Sequence, residues 1–202
     1  MNKIEFFFDC SSPWTYLAFH GFQEIIKNND NIEIEWKPIL VGGVFNSVNQ
    51  DIYETRKNPN PLKFKYSRKD LRDWSKFYNI TINWPDLFPL NAVNVMRGVI
   101  VADKYNKLVS FSYSCFEMYW SKGIDISDLD ILSEIAVTNG IDKDIFINDI
   151  QTKFIKDQLR KNTDNLMDRG GFGSPTIFIN DNDMYFGNDR LQLVKEKILG
   201  NF

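Results

Sequence analysis

The chain has 202 residues, with 24 Lys+Arg against 27 Asp+Glu, one histidine and two cysteines; that length suits one domain, or one domain carrying a large insertion. At 43% hydrophobic, 15% aromatic and 25% charged residues it can bury a sizeable core and reads as globular, not disordered. One histidine and two cysteines exclude a zinc finger and predict no metal site, any Ser-His-Asp or Cys-His site would have to use His20, and a net charge of −3 argues against a nucleic-acid partner.

The run from Met1 to Asp9 is broken by Glu5 and too short for a secretory h-region. Charges recur throughout, so no membrane span is expected, and two cysteines give no disulfide framework. The expectation is a cytoplasmic protein with no membrane partner. Ile4 to Phe8 is a β-type run stopped by Asp9. Ser12-Pro13 then signals a helix start, a hydroxyl N-cap before a proline at the first helical position. Trp14, Leu17, Ala18, Gly21, Phe22 and Ile25 follow on one helical stripe, ended by Asn28-Asn29-Asp30-Asn31. Ile32, Ile34 and Trp36 alternate with charged residues as a strand does, so the first forty residues read as a right-handed β-α-β unit.

Segments near 62–78, 91–106, 108–122, 127–139 and 143–168 look helical, with breaks at Asn58-Pro59-Asn60-Pro61 and Trp84-Pro85-Asp86-Leu87-Phe88-Pro89. After Gly170-Gly171-Phe172-Gly173, Thr176 to Asn180 and Met184 to Phe186 form an antiparallel pair across Asp181-Asn182-Asp183. A last helix follows Asn188-Asp189. The order predicts an α/β chain with a thioredoxin-like fold, residues 1–45 and 170–202, interrupted by a large all-helical insertion over 46–169.

Ser12 sits where the first strand hands over to a helix, where unpaired N–H groups and the positive end of the helix dipole favour an anion, a thiolate above all. The same residues also read simply as an N-cap and a helix-starting proline. In Gly173-Ser174-Pro175-Thr176 a cis Ser174–Pro175 bond would turn the Ser174 backbone outward to pair with a peptide-like ligand. An ordinary loop before a strand is the alternative. His20 groups with Tyr16, Gln23, Glu24 and Lys27 on the polar side of the first helix and reads as a surface residue. Cys115 shares a stripe with Leu108, Phe111 and Tyr119 and reads as a core thiol, not as a disulfide partner of Cys10. Trp84 and Phe88 fit either a pocket lining or packing between helices.

Five stretches in order are similar to the motifs of one family. They are Phe6 to Ala18; Trp36 to Phe45 with Asn49; Phe88-Pro89-Leu90-Asn91 with Met96-Arg97; Gly171 to Thr176; and Phe186 to Leu191. Over nearly its whole length the chain resembles the 2-hydroxychromene-2-carboxylate isomerases and kappa-class glutathione transferases, DsbA-like relatives of the bacterial disulfide oxidoreductases. The resemblance implies that Ser12 replaces the first cysteine of Cys-x-x-Cys and Thr15 the second, which removes disulfide exchange. It implies glutathione as cofactor, its sulfur at Ser12 with Pro13 and Trp14 close by, its backbone on Ser174 and Pro175, and its γ-glutamyl end on Asn188 and Asp189. Asn49 corresponds to a contact with glutathione or substrate and Lys37 to a contact with a substrate carboxylate. Ser174 departs from an apolar residue common before the proline, and Asn188 stands where serine or another small polar residue is common.

The activity so implied is a glutathione-dependent isomerisation, by reversible thiolate addition to an unsaturated, aromatic-derived electrophile. The alternatives are a kappa-like transferase that releases the adduct, and a non-catalytic thioredoxin-fold module binding peptides across the Pro175 edge. A small-molecule electrophilic substrate and a homodimer belong to the same expectation.

Overall fold

A computed structural model describes residues 1–29 and 31–201. Strand β1 (Asn2–Phe8) leads into helix α1 (Pro13–Lys27) and strand β2 (Ile32–Pro38). Helices α2 (Val41–Val48), α3 (Asp51–Lys57), α4 (Pro61–Phe77), α5 (Val93–Asp103) and α6 (Leu108–Phe116) follow, α6 running on into a π-helical turn over Glu117–Ser121. Then come α7 (Leu129–Thr138), α8 (Lys143–Asp149) and α9 (Lys153–Asp168), strands β3 (Thr176–Ile179) and β4 (Asp183–Phe186), a 3-10 turn over Asn188–Arg190, and α10 (Leu191–Ile198). The four strands lie in the order β2-β1-β3-β4. β1 pairs parallel with β2 and antiparallel with β3, and β3 antiparallel with β4. This is the thioredoxin-like sheet expected from the β-α-β and β-β-α flanks, with the helical block between them.

β1 sits inside the sheet, and both of its faces are covered. Ile4, Phe6 and Phe8 join the larger core, while Phe7 joins a smaller cluster with Ile39, Val44, Leu166 and Phe178. Trp36, opposite Phe6 in the register, meets Phe6 at 5.1 Å and Phe19 at 4.7 Å between ring centroids. Trp36 is half-buried, while Phe6, Phe8 and Phe19 are fully buried and contribute about 1.5–3 kcal/mol each. That anchors the floor on which the loop after β1 stands.

Two expectations on α1 need correction. The buried surface exceeds the predicted stripe: Thr15, Tyr16 and Phe19 are buried too. Tyr16 and His20, assigned to the polar side, are covered by the helical block. Tyr16 stacks on Phe116 at 5.1 Å, and His20 Nδ1 lies 3.3 Å from the Tyr113 hydroxyl and beside the Tyr78 ring. A tyrosine can bury its ring while its hydroxyl finds a partner, so it reads as polar in sequence and as core here. Asp30, within the predicted helix-ending run, lies outside the described residues. Asn28 caps the helix. The predicted helix over 143–168 is two, because Asp142 and Thr152 each cap a new start with their side-chain oxygens. Helices α2 and α3 were not anticipated.

Candidate active site

The loop from Asp9 to Ser12 is built around a buried carboxylate. Asp9 is 1% exposed; its Oδ1 accepts the Ser11 N–H at 2.8 Å and its Oδ2 the Val41 N–H at 2.8 Å. One side chain therefore ties the start of α1 to the start of α2. Burial pushes the Asp9 carboxyl above its ordinary value, against the pull of those two N–H groups. On the other side Cys10 is clamped: its N–H donates to Met96 Sδ at 3.3 Å and its carbonyl accepts the Trp120 indole N–H at 2.9 Å. Ser12 is thus presented by a loop held at Asp9, Cys10 and Ser11.

Ser12 is the N-cap of α1. Its Oγ accepts the Thr15 N–H at 3.3 Å, and its hydroxyl points to the Ser174 carbonyl at 3.4 Å. Both contacts are long for hydrogen bonds to a hydroxyl. Ser174 Oγ accepts the Asp9 N–H at 3.0 Å and shares a 2.8 Å hydrogen bond with Thr15 Oγ1. Ser12, Thr15 and Ser174, separated by some 160 positions, therefore meet in one polar cluster. Pro13 is buried beneath it and Trp14 half-buried at its side. The Ser174–Pro175 bond is cis. Asp9 is the contributor that sequence reasoning missed, and so is the pairing of Thr15 with Ser174. Thr15 stands three residues after a capping serine, but nothing local pairs it with Ser174.

The remaining predicted residues flank the Pro175 loop. Pro175 accepts the Gly187 N–H at 3.1 Å, and Gly187 has φ of 100°, a conformation that only glycine adopts freely. This delivers Asn188 and Asp189 beside the loop, with the 3-10 turn packed against α1. Asn188 is 3% exposed and its Nδ2 has no partner, an orphaned buried donor at the start of the 3-10 turn. Asp189 is exposed and pairs with its neighbour Arg190 at 2.6 Å. Asn49, at the end of α2, donates to the Phe172 carbonyl at 3.1 Å and so braces the loop before Ser174. Lys37 stands apart. It pairs with Glu35, and with Glu5 at 3.9 Å, and no described hydrogen bond or ion pair joins it to the Ser12 cluster.

The helical block supplies an aromatic wall. Trp120 is fully buried; Trp84 and Phe88 approach it at 5.6 and 6.2 Å and each other at 4.7 Å. Trp84 remains 42% exposed, so these rings both pack between helices and present a surface. Cys10 and Cys115 are fully buried, their thiol pKa values pushed up by loss of solvent, and both are free. Among the described residues no group of acidic, His or Cys side chains could hold a metal ion, and no helix is long and apolar enough to cross a membrane.

The profile of the DsbA-like thioredoxin domain family matches residues 3–199. The chain belongs to that family. It is similar to the 2-hydroxychromene-2-carboxylate isomerase of Sphingobium xenophagum, 25% identical over 204 residues that cover 98% of each protein. It is also similar to glutathione S-transferase kappa 1 of Caenorhabditis elegans, 24% identical over 97% of this chain and 90% of that protein. The structure of a 2-hydroxychromene-2-carboxylate isomerase superposes with a TM-score of 0.82 at 22% identity, covering 98% of this chain and 95% of that one. Relatives across the DsbA-like family thus include isomerases and glutathione transferases, which supports an enzyme. Disulfide exchange of the Cys-x-x-Cys kind needs two thiols three residues apart, and neither Cys10 nor Cys115 has another cysteine at that spacing.

Proposed function

We propose that the chain is a glutathione-dependent isomerase of the 2-hydroxychromene-2-carboxylate isomerase type, acting on an unsaturated, aromatic-derived substrate. The observation that carries this reading is Ser12: a half-buried hydroxyl on the N-terminus of a 15-residue helix, beside the Ser174 backbone, in a chain whose own thiols are buried. Glutathione, when bound, supplies a thiolate that adds to an electron-poor carbon and is later expelled, so that a former double bond turns as a single bond. The task left to Ser12 is to keep that sulfur anionic. Its hydroxyl hydrogen sits in a 3.4 Å contact, against about 2.7–2.8 Å for a good O–H···O bond, and so can turn to a thiolate with little loss. Helix-terminal N–H groups add to the same field. A thiol pKa moved from about 8.5 towards 7 raises the anionic fraction about tenfold or more at neutral pH.

The neighbouring residues fit the rest of a tripeptide. The cis Ser174–Pro175 segment offers main-chain groups to an extended backbone. The orphaned Nδ2 of buried Asn188 is a donor for a carboxylate, and Asp189, in an exposed ion pair worth little, is available to an ammonium group. Lys37, already held by two glutamates, takes no part in this reading. A cytoplasmic homodimer belongs to it as an expectation.

The near-equal similarity to kappa transferases favours a second reading, in which the glutathione adduct leaves as product. Product analysis separates the two, because glutathione is regenerated in one and consumed in the other. Ser12→Ala should lose about 10²–10³ in turnover, the usual effect of removing one preorganised donor, and still bind glutathione by calorimetry. Full activity in that variant overturns the assignment. Absence of glutathione binding at millimolar concentration in the wild type points instead to a non-catalytic module.

A further inference from the structure

The segment over residues 51–77 carries eight basic and four acidic side chains in a chain of net charge −3. Two of its arginines are placed unlike the rest. The Arg56 guanidinium of α3 lies over the Phe45 ring at 5.3 Å and the Phe88 ring at 5.5 Å. The Arg68 guanidinium of α4 lies over Trp84 at 4.5 Å and Phe64 at 6.0 Å. Each is exposed, and among the described residues neither has a carboxylate partner or a hydrogen bond. Lys69, one position from Arg68, does pair, with Asp73. The rings beneath the two arginines lead to the site: Trp84 and Phe88 both face Trp120, whose indole holds the Cys10 carbonyl two residues before Ser12. Two guanidinium groups therefore lie over aromatic rings that lead through Trp120 to the loop carrying Ser12. A guanidinium held over a ring without a carboxylate partner keeps N–H donors for an anion.

We infer that Arg56 and Arg68 are specificity-determining residues that receive an anionic group on the second, electrophilic substrate while the aromatic wall takes its planar part. This rests on the proposed glutathione-dependent reading. The chemistry recognised is a carboxylate or similar oxyanion on a flat, unsaturated frame. A carboxylate of glutathione itself would satisfy the same guanidinium groups. The pair acts by binding and orientation; no bond forms or breaks at either residue.

The test uses trans-cinnamate and its neutral isostere trans-cinnamamide as probes, read by quenching of tryptophan fluorescence, with and without saturating glutathione. The proteins are the wild type, Arg56→Gln, Arg68→Gln, the double variant and Arg56→Lys. The wild type should bind cinnamate about tenfold or more tightly than cinnamamide, the size of one charge-assisted contact. The preference should shrink in each single variant and vanish in the double one, while cinnamamide binding and glutathione affinity stay within about twofold. Arg56→Lys keeps the charge and loses the flat fork, so it should retain part of the preference. An equal affinity for both probes in the wild type overturns the inference, as does a preference that survives in the double variant. A selective loss of glutathione affinity also overturns it, by assigning the arginines to glutathione. Should the wild type bind no glutathione at all, the functional reading fails, and the comparison without glutathione still decides whether the arginines select an anion.

Discussion

At the scale of single residues, Asp9 is the group whose chemistry is most exposed to test. Its carboxylate is buried and accepts two backbone N–H groups, one from Ser11 and one from Val41. Desolvation outweighs those two bonds, so the folded chain holds the Asp9 proton more tightly than the unfolded chain does. The folded state then binds the greater number of protons between the two values, and the stability contributed by this group falls as pH rises. The window opens near the unfolded value of about 3.9 and closes above the raised folded value. Urea unfolding of the wild type and Asp9→Asn across this range isolates the effect, because the other carboxylates cancel in the difference. The wild type should lose ground to the variant as pH climbs through the window and hold a constant difference above it. A constant offset of about 1–3 kcal/mol is expected as well, since an amide can accept from one of the two N–H groups and meets the other with a donor of its own. A difference that does not change with pH would show that burial does not control this carboxyl.

At the scale of elements, the site depends on how α9 stops. Gly170 has φ of 83°, its N–H donates to the Met167 carbonyl at 2.9 Å, and the Gly171 N–H reaches back to Leu166 at 2.8 Å. This is a Schellman ending, and it aims the chain into the loop that carries Ser174. A Cβ on Gly171 would sit 2.9 Å from the Leu166 carbonyl oxygen and 2.2 Å from a Leu166 methyl, in the cluster with Phe7 and Phe178. Gly171→Ala should therefore cost about 1–3 kcal/mol by overpacking. It should also speed hydrogen exchange in the 172–175 loop, which Asn49 otherwise braces. A variant of wild-type stability would mean that the helix end yields without cost. The glycine run was legible in sequence as a break. Its role in aiming Ser174 was not, because that depends on where Leu166 packs. Helices α2 and α3 escaped for a similar reason: α3 has no buried residue and α2 only Val41 and Val44, too few apolar positions to show a period.

At the scale of the molecule, the alternation of β and α periodicity was enough to place the sheet and the insertion. The resemblance marked Ser12, Ser174 and Asn188; the structure joins Ser12 to Ser174 at the start of α1 and puts Asn188 in a turn packed against that helix. Contacts made across the insertion were hidden: the Tyr16 and His20 flank, the Trp120 clamp on Cys10, and the two arginines on the aromatic wall each join segments far apart in the chain. The whole-chain packing also fixes what the two cysteines can do. Cys10 stands two residues before Ser12, yet it is fully buried against Met96 and Trp120, and Cys115 is buried in α6. Burial raises both thiol pKa values, so thiolate is scarce at neutral pH and the reagent has no path to it. A disulfide reagent that forms a coloured thiolate should therefore label neither thiol of the native protein faster than the chain opens, and both in denaturant. In an insulin-reduction assay the protein should be inactive, since Ser12 and Thr15 cannot form the mixed disulfide that exchange requires. Rapid labelling of one thiol in the native state would mean that the loop at Cys10 opens independently of the fold, and the picture of Ser12 on a clamped platform would have to be abandoned.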